Sequence, residues 1–489
     1  MSKPSAAAAP FTLLLVLTLA FASNSVVFGS PVDGHTINRP DPLRHLHHYH
    51  GGYDLSNKHY WASTAFTGVH GFVMAGIWML FGLAFGILVM ILKKRSASSP
   101  TTDYLDRYYV VSSLLLLFFT ILVIAATGFV YAGNHQAFKR TKNLKNSIVE
   151  AGQDASHTLK KVAKALTGIQ YLLNPYEPNT SSQLNVTSRK LGSGSQTIIS
   201  FVQTSGHSID KAIYTSYALH VVIVTLNLIF VVGAIVLLLL HWHPGFIAII
   251  FLCWILTTLG WVLTGVDFFI FTFAADTCSA LEDFVQHPQN NSLSSVLPCL
   301  DSSQSTKLLA DIGSSVSRII KELDSKIEDA YGSLGLDDKE SDISKYGKIC
   351  NPFTEAPNYT YVPHLCANNS LNIGDLPKIL ISLTCYNKDS AESCESEGKF
   401  VSEPSYYKVR AYSHSVQKII NIYPDLQSLV ECTVVKVTIS DVMPNQCKSF
   451  RVTVKRLWLS MLSLSIFMVV LELIWVAKAC QKRQTPMLL

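Results

Sequence analysis

Charged residues are scarce in this chain, and in five long stretches they are almost missing. Only 15% of the 489 residues are Asp, Glu, Lys or Arg, while 49% are hydrophobic. Soluble domains carry roughly a quarter charged residues, so this balance argues against a freely soluble protein. Common enzyme signatures are missing too: there is no Gly-rich phosphate loop, no nucleophile elbow and no His-Glu-x-x-His pair. Nothing therefore nominates a catalytic, cofactor-binding or metal-ligating residue, and the chain reads as non-enzymatic and cofactor-free. Cysteine is nearly absent outside one segment. Of ten cysteines, all but Cys253 and Cys480 lie between Cys278 and Cys447.

The apolar residues are gathered into spans at 66–92, 108–131, 216–240, 245–275 and 457–477. Each reaches the ~20 residues that an α-helix needs to cross ~30 Å of hydrocarbon. Residues 1–22 read as a secretory signal peptide, with Lys3, the apolar run Phe11–Leu19 and the small-x-small site Ala20-Phe21-Ala22. Cleavage there leaves the new N-terminus outside. The short loop 93–107, with Lys93, Lys94, Arg95 and Arg107, is then cytosolic, as are the turn 241–244 and the tail 478–489 with Lys478, Lys482 and Arg483. One basic group runs against this rule. Lys448, Arg451, Lys455 and Arg456 precede the fifth span on the expected outside, where they suit a folded stalk or lipid headgroups.

Glycosylation sequons agree with this topology. Asn179, Asn185, Asn290, Asn358 and Asn368 all fall in the long hydrophilic segments 132–215 and 276–456. The eight cysteines of the second segment, Cys278, Cys299, Cys350, Cys366, Cys385, Cys394, Cys432 and Cys447, form an even set in a secretory context and predict disulfides. Eight cysteines allow 105 pairings, so connectivity stays open. Cys253 lies inside a span and reads as inert packing. Cys480, juxtamembrane and cytosolic, is a palmitoylation candidate.

Outside the spans the pattern is helical. In 132–215 apolar residues recur every three or four positions from Leu144 through Ile148, Val162 and Ile169 to Leu173, and again from Leu191 through Val202 and Ile209 to Ile213. The breaker Asn174-Pro175-Tyr176-Glu177-Pro178 separates the two runs. This predicts an antiparallel helical hairpin continuing the second and third spans, with ~60 Å of helix from Tyr131 to the breaker at 1.5 Å per residue. In 276–456 a third run, Leu309 to Leu334, precedes an irregular stretch at 335–400 that reads as a cross-linked cap. Helices at 405–423 and 425–456 follow, with an expected break at Pro424 and kink at Pro444. Residues 23–65 read as an irregular outer arm, and the histidine cluster His45, His47, His48 and His50 as part of that arm rather than a metal site. The expected fold is an all-α membrane protein, with five transmembrane helices, two long coiled-coil-like extracellular segments and a disulfide-linked cap.

Four polar residues lie within spans, where an unpaired charge is costly. Counting outward from the 241–244 turn sets His220 level with Asp267, and Asn227 level with Thr257 and Thr258. A His220–Asp267 contact is expected, as a structural tie or as a titratable gate. Glu472, in the inner part of the fifth span, is expected to pair with a polar neighbour or reach the cytosolic interface. Gly82 and Gly86 form a small-xxx-small pair that allows close helix approach.

The five-span layout and outer cysteine set resemble the prominin and tweety families. The join Gly265-Val266-Asp267-Phe268-Phe269-Ile270-Phe271-Thr272-Phe273-Ala274-Ala275-Asp276-Thr277-Cys278 is similar to that of a plant family of five-pass plasma-membrane proteins without an assigned function. The resemblance implies a role in membrane organisation, as linked to prominins, or in anion conduction or lipid handling, as discussed for tweety proteins. It transfers no pore residue. The expectation is a plasma-membrane organiser of lipid or partner proteins; the alternatives are an anion channel or lipid conduit, and a surface receptor. Expected partners are membrane lipids, a second copy of the chain or other membrane proteins, and not nucleic acid.

Overall fold

The computed structural model describes residues 37–95, 105–286, 302–334, 348–366, 370–386, 401–431 and 446–481, with a few isolated positions between 393 and 440. The expected signal peptide, Asn290, Asn368, Cys299, Cys432, Pro444 and the side chain of Cys480 fall outside the described residues. The chain is predominantly helical and divides into two compact units, 1–147 with 206–296 and 439–489, and 148–205 with 297–438.

The first unit holds α1 (Lys58–Phe66), α2 (Val69–Arg95), the first part of α3 (Leu105–Leu173), the last part of α4 (Pro178–Leu239), α5 (His243–Gln286) and α9 (Lys448–Gln481). Helices α2, α3, α4, α5 and α9 are long and apolar enough to cross a membrane. Their burial ranks them. The apolar windows of α5 and α9 are 44% and 50% buried, those of α2, α3 and α4 only 22–28%. Hence α5 and α9 are central, and the other three present leucines and phenylalanines outward, with Leu80 69%, Phe129 70% and Leu239 71% exposed. Helices exposing such faces require an apolar solvent, because water would drive those faces together.

Two cores tie α5 into the first unit. On one side Met74 and Trp78 of α2 meet Trp261 and Phe268 of α5 and Trp458 and Leu462 of α9. On the other, Val123 and Val130 of α3, Val224 and Val231 of α4, and Met461, Met468 and Trp475 of α9 enclose Cys253 and Leu263. Cys253 is a free, buried thiol, as expected. The turn between α4 and α5 is closed by His241 in the left-handed region, at φ 60°.

The close helix approach is not where the sequence placed it. A Cβ at Gly86 would meet nothing, and one at Gly82 would meet only the Trp254 ring. The backbones instead touch where Gly68 and Gly71 cross Gly265: a Cβ on Gly71 would lie 2.5 Å from the Gly265 Cα, and one on Gly265 2.7 Å from the Gly68 carbonyl oxygen. The expected first span starts at Val69 rather than Phe66, because the turn at Thr67–Gly68 separates α1 from α2.

Residues 37–57, expected to be irregular, carry local structure. Strands β1 (Arg39–Pro40) and β2 (His48–Tyr49) pair antiparallel. The turn between them places His45 and Leu46 at φ 51° and 66°. Asp41, fully buried, accepts from the Leu43 amide at 2.9 Å and contacts His59 Nδ1 of α1 at 2.7 Å. The four clustered histidines are exposed, and no metal-ligand group of three occurs among the described residues.

The second unit contains the remaining parts of α3 and α4, α6 (Ser302–Leu334), the short α7 (Leu376–Leu380), α8 (Glu403–Val430) and the parallel pair β3 (Thr384–Cys385) with β4 (Val401–Ser402). Its core joins Leu309, Val316 and Ile320 of α6 to Ile373, Leu376, Tyr406, Val416 and Tyr423, so the expected α6 periodicity is the buried face. Cysteines pair as Cys350–Cys366 and Cys385–Cys394 here, and as Cys278–Cys447 in the first unit. Helix α8 does not break at Pro424 but runs through it. An interior proline costs about 3 kcal/mol; burial of Ile422, Tyr423 and Val430 on either side of it compensates.

Helices α3 and α4 meet antiparallel around the 174–177 turn, and of the expected apolar run on α3, Leu144, Val162, Ile169 and Leu173 are buried. Ile148 and Ile209 are 55% and 44% exposed. The buried row on α4 is Ser181, Ser188 and Ser195, spaced by seven. Ser181 Oγ donates to the Gln170 carbonyl at 3.3 Å and Ser188 Oγ to that of Ala163 at 2.8 Å. Ser195 and Ser156 each donate to the other's carbonyl at 3.0 Å. Small side chains bring the backbones close enough for a hydroxyl to reach across. Ser188→Ala should lose two hydrogen bonds, to the Ala163 carbonyl and Thr167 Oγ1, of about 1 kcal/mol each, and Ser188→Leu should destabilise the purified protein by about 1–3 kcal/mol more through overpacking. Thermal unfolding in detergent reads both; a Leu variant as stable as wild type would rule out the tight seam.

Candidate functional site

Helices α4 and α5 leave the 241–244 turn side by side, so residues equidistant from it share a depth. This brings His220 to Asp267: Nε2 lies 3.0 Å from Oδ2, and both residues are 1% exposed. The other ring nitrogen, Nδ1, is 2.8 Å from the Ser216 carbonyl oxygen. A carbonyl only accepts, so Nδ1 carries a hydrogen. The proton between Nε2 and Oδ2 then sits on one partner or the other, and in either case the pair is neutral overall. That neutrality makes it tolerable at low dielectric.

The other intramembrane groups behave differently. Glu472, on α9, is 2% exposed and accepts from the hydroxyl of Thr257 on α5. It does not reach an interface, and among the described residues no cation pairs with it. Asn227 does not bond to Thr257 or Thr258. Thr257 turns to Glu472, Thr258 donates back to the Trp254 carbonyl at 2.9 Å, and Asn227 Oδ1, buried, has no partner among the described residues.

The sequence reading missed a second anchor on α5. Asp276 receives a bidentate contact from Arg39, at 2.7 and 2.5 Å, and a hydrogen bond from the Tyr60 hydroxyl at 3.3 Å. Beside it the Tyr53 hydroxyl lies 3.1 Å from Thr277 Oγ1. Burial, and then the Asp276 charge, push the Tyr60 phenol well above its usual range; burial likewise raises Tyr53. Arg39 and Asp276 are 237 residues apart, and a lone arginine in a polar arm gives no signal of its partner. The helix pair α3 and α4 adds Tyr131 Oη to Thr225 Oγ1 at 2.5 Å and Asn134 Nδ2 to the Tyr217 carbonyl at 3.1 Å.

Asn179 and Asn358 are exposed and Asn185 half-exposed, each within its sequon. The features together define a multi-pass helical membrane protein. No protein-family model and no curated protein matches the chain.

If the His220–Asp267 contact is mainly a tie between helices, His220→Ala and Asp267→Ala should each lower stability in detergent by about 1–3 kcal/mol, since each leaves a buried polar group unpaired. The double variant should lose less than the sum. Strict additivity in thermal or denaturant unfolding would show that the two side chains are not coupled.

Proposed function

We propose that the chain is a non-enzymatic plasma-membrane protein that organises membrane lipid or partner proteins through helical segments on the extracellular side. The observation that carries this reading is the use made of ionisable groups inside the apolar helices. His220 is spent on Asp267 and a backbone carbonyl, and Asp276 on Arg39 and Tyr60, so the charges that could serve transport instead fasten helix to helix. Exposed Asn179 and Asn358 support an extracellular assignment for 132–215 and 276–456, as does the pairing of six cysteines. The likeness in layout to prominin and tweety proteins belongs to the same proposal. On intact cells an N-terminal tag placed after the signal peptide should be accessible and a C-terminal tag not, and glycosidase should shift the protein's mass. A cytosolic N-terminus with no glycan at Asn179 or Asn185 would reverse the orientation.

A second reading, an ion or lipid conduit, is favoured by Glu472, a buried carboxyl with one hydroxyl donor, together with the unpartnered Oδ1 of Asn227. Reconstitution into liposomes separates the two. The organiser reading expects anion and lipid-transfer rates no higher than in protein-free vesicles. Flux that is present in wild type and falls tenfold or more in Glu472→Gln would establish the conduit instead.

A further inference from the structure

A basic groove of about 770 Å³ opens between α3 and α9 in the first unit. Helix α3 contributes His135, Lys139 and Arg140, and α9 contributes Lys448, Thr453 and Arg456. All but Thr453 are exposed, and none of the four lysine and arginine side chains has an ion-pair partner among the described residues. Two other cations of this unit are matched, Arg39 by Asp276 and Lys145 by Asp210 at 2.8 Å. Four unmatched positive charges converging on one groove call for an anion.

The position of the groove selects the kind of anion. Below it α3 and α9 converge, where a Cβ on Gly133 would lie 3.4 Å from the Leu457 Cα. Beyond its other end they meet again, through Leu144 against Cys447 and Gln446 Nε2 donating to Ser147 Oγ at 3.1 Å. The groove therefore sits just past the apolar runs of both helices, which finish at Tyr131 on α3 and start at Leu457 on α9. One helical repeat down the same faces lie Phe129, seven residues before the groove-lining Gln136, and Leu459, seven after Val452; they are 70% and 41% exposed. Cations thus stand directly over outward-facing apolar side chains, at the boundary between hydrocarbon and headgroup layers.

We propose that this groove binds the phosphate of an anionic phospholipid headgroup, with the acyl chains lying along Phe129 and Leu459. The site deepens the proposed role in organising membrane lipid and rests on that reading. It also gives the basic residues before the fifth span a purpose: they sit against the positive-inside rule because a ligand, rather than topology, requires them.

The test uses the full-length protein in a zwitterionic or non-ionic detergent, titrated with short-chain phosphatidylglycerol, with short-chain phosphatidylcholine and with inorganic phosphate, while binding and thermal shift are read. Phosphatidylglycerol should bind and raise the unfolding temperature, phosphatidylcholine should do neither, and phosphate alone should bind at least tenfold more weakly than the lipid. Lys139→Gln with Arg140→Gln and Arg456→Gln should weaken phosphatidylglycerol at least tenfold. The charge-keeping set Lys139→Arg, Arg140→Lys and Arg456→Lys should retain binding, which separates loss of charge from loss of fold. Lys321→Gln, on α6 of the second unit, should change nothing. Equal binding of phosphatidylcholine, undiminished binding in the neutral set, or phosphate as tight as the lipid would each overturn the assignment. Conduction in the liposome assay with the groove still selective would instead remove the organiser role and leave the lipid site standing.

Discussion

The first unit is organised by a constraint borne by α5: its carboxylates must be matched where water is scarce. Asp267 lies within the apolar run and Asp276 at its end. In hydrocarbon an unmatched carboxylate costs several kcal/mol, so each aspartate fixes its partner. Asp267 selects His220 and thereby sets the register of α4. Asp276 selects Arg39 and so anchors the N-terminal strands and α1. Two residues before Asp267, Gly265 lets α2 come into backbone contact. Dispersion grows as atoms approach, and lipid tails offer apolar surfaces no hydrophobic reason to associate. Polar ties set register and small residues set distance, while α9 fills the remaining side with Met461, Met468 and Trp475.

The parts of this design legible in the sequence are those that depend on one property read along one axis. Hydropathy found the five long apolar helices, because an apolar run of that length has few other uses. The 174–178 breaker marked the turn between α3 and α4, since two prolines within five residues cannot continue a helix. Counting from a tight turn found His220 opposite Asp267, because two helices rising at 1.5 Å per residue from one turn stay level. Where the reading failed, the deciding property was relational. Gly82 and Gly86 have the favoured spacing, but nothing along the sequence says which face meets a neighbour; Gly68, Gly71 and Gly265 meet because α2 and α5 happen to cross there. Pro424 has the local chemistry of a break, and burial of its neighbours overrides it.

The pairing of α3 with α4 was legible on one side only. On α4 the buried row is serine. Ser181, Ser188 and Ser195 repeat every seven positions, as plain a period as any leucine repeat, but one that a search restricted to large hydrophobics passes over. On α3 the large residues do mark the inward face at Leu144, Val162, Ile169 and Leu173, while Ile148 of the same run and Ile209 of α4 fit the spacing and point out.

This choice of residues has a physical logic for helices that contribute to both units. A leucine seam draws its strength from water and loses it in lipid. A serine hydroxyl donating to a carbonyl across a close approach gains where water is absent and still holds where it is present, at about 1 kcal/mol each. Polar contacts between α3 and α4 occur in both units: Tyr131 with Thr225 and Asn134 with the Tyr217 carbonyl in the first, Ser156 with Ser195 and Ser188 with the Ala163 carbonyl in the second. Paired residue numbers sum to 356, 351, 351 and 351, nearly constant. The Ser156–Ser195 and Ser188–Ala163 contacts of the second unit therefore share one register. A pair built on hydrophobic knobs would need two different recipes for its apolar and polar stretches. Polar contacts, hydroxyl to carbonyl at Ser156 and Ser188, hydroxyl to hydroxyl at Tyr131 and amide to carbonyl at Asn134, hold in either surrounding.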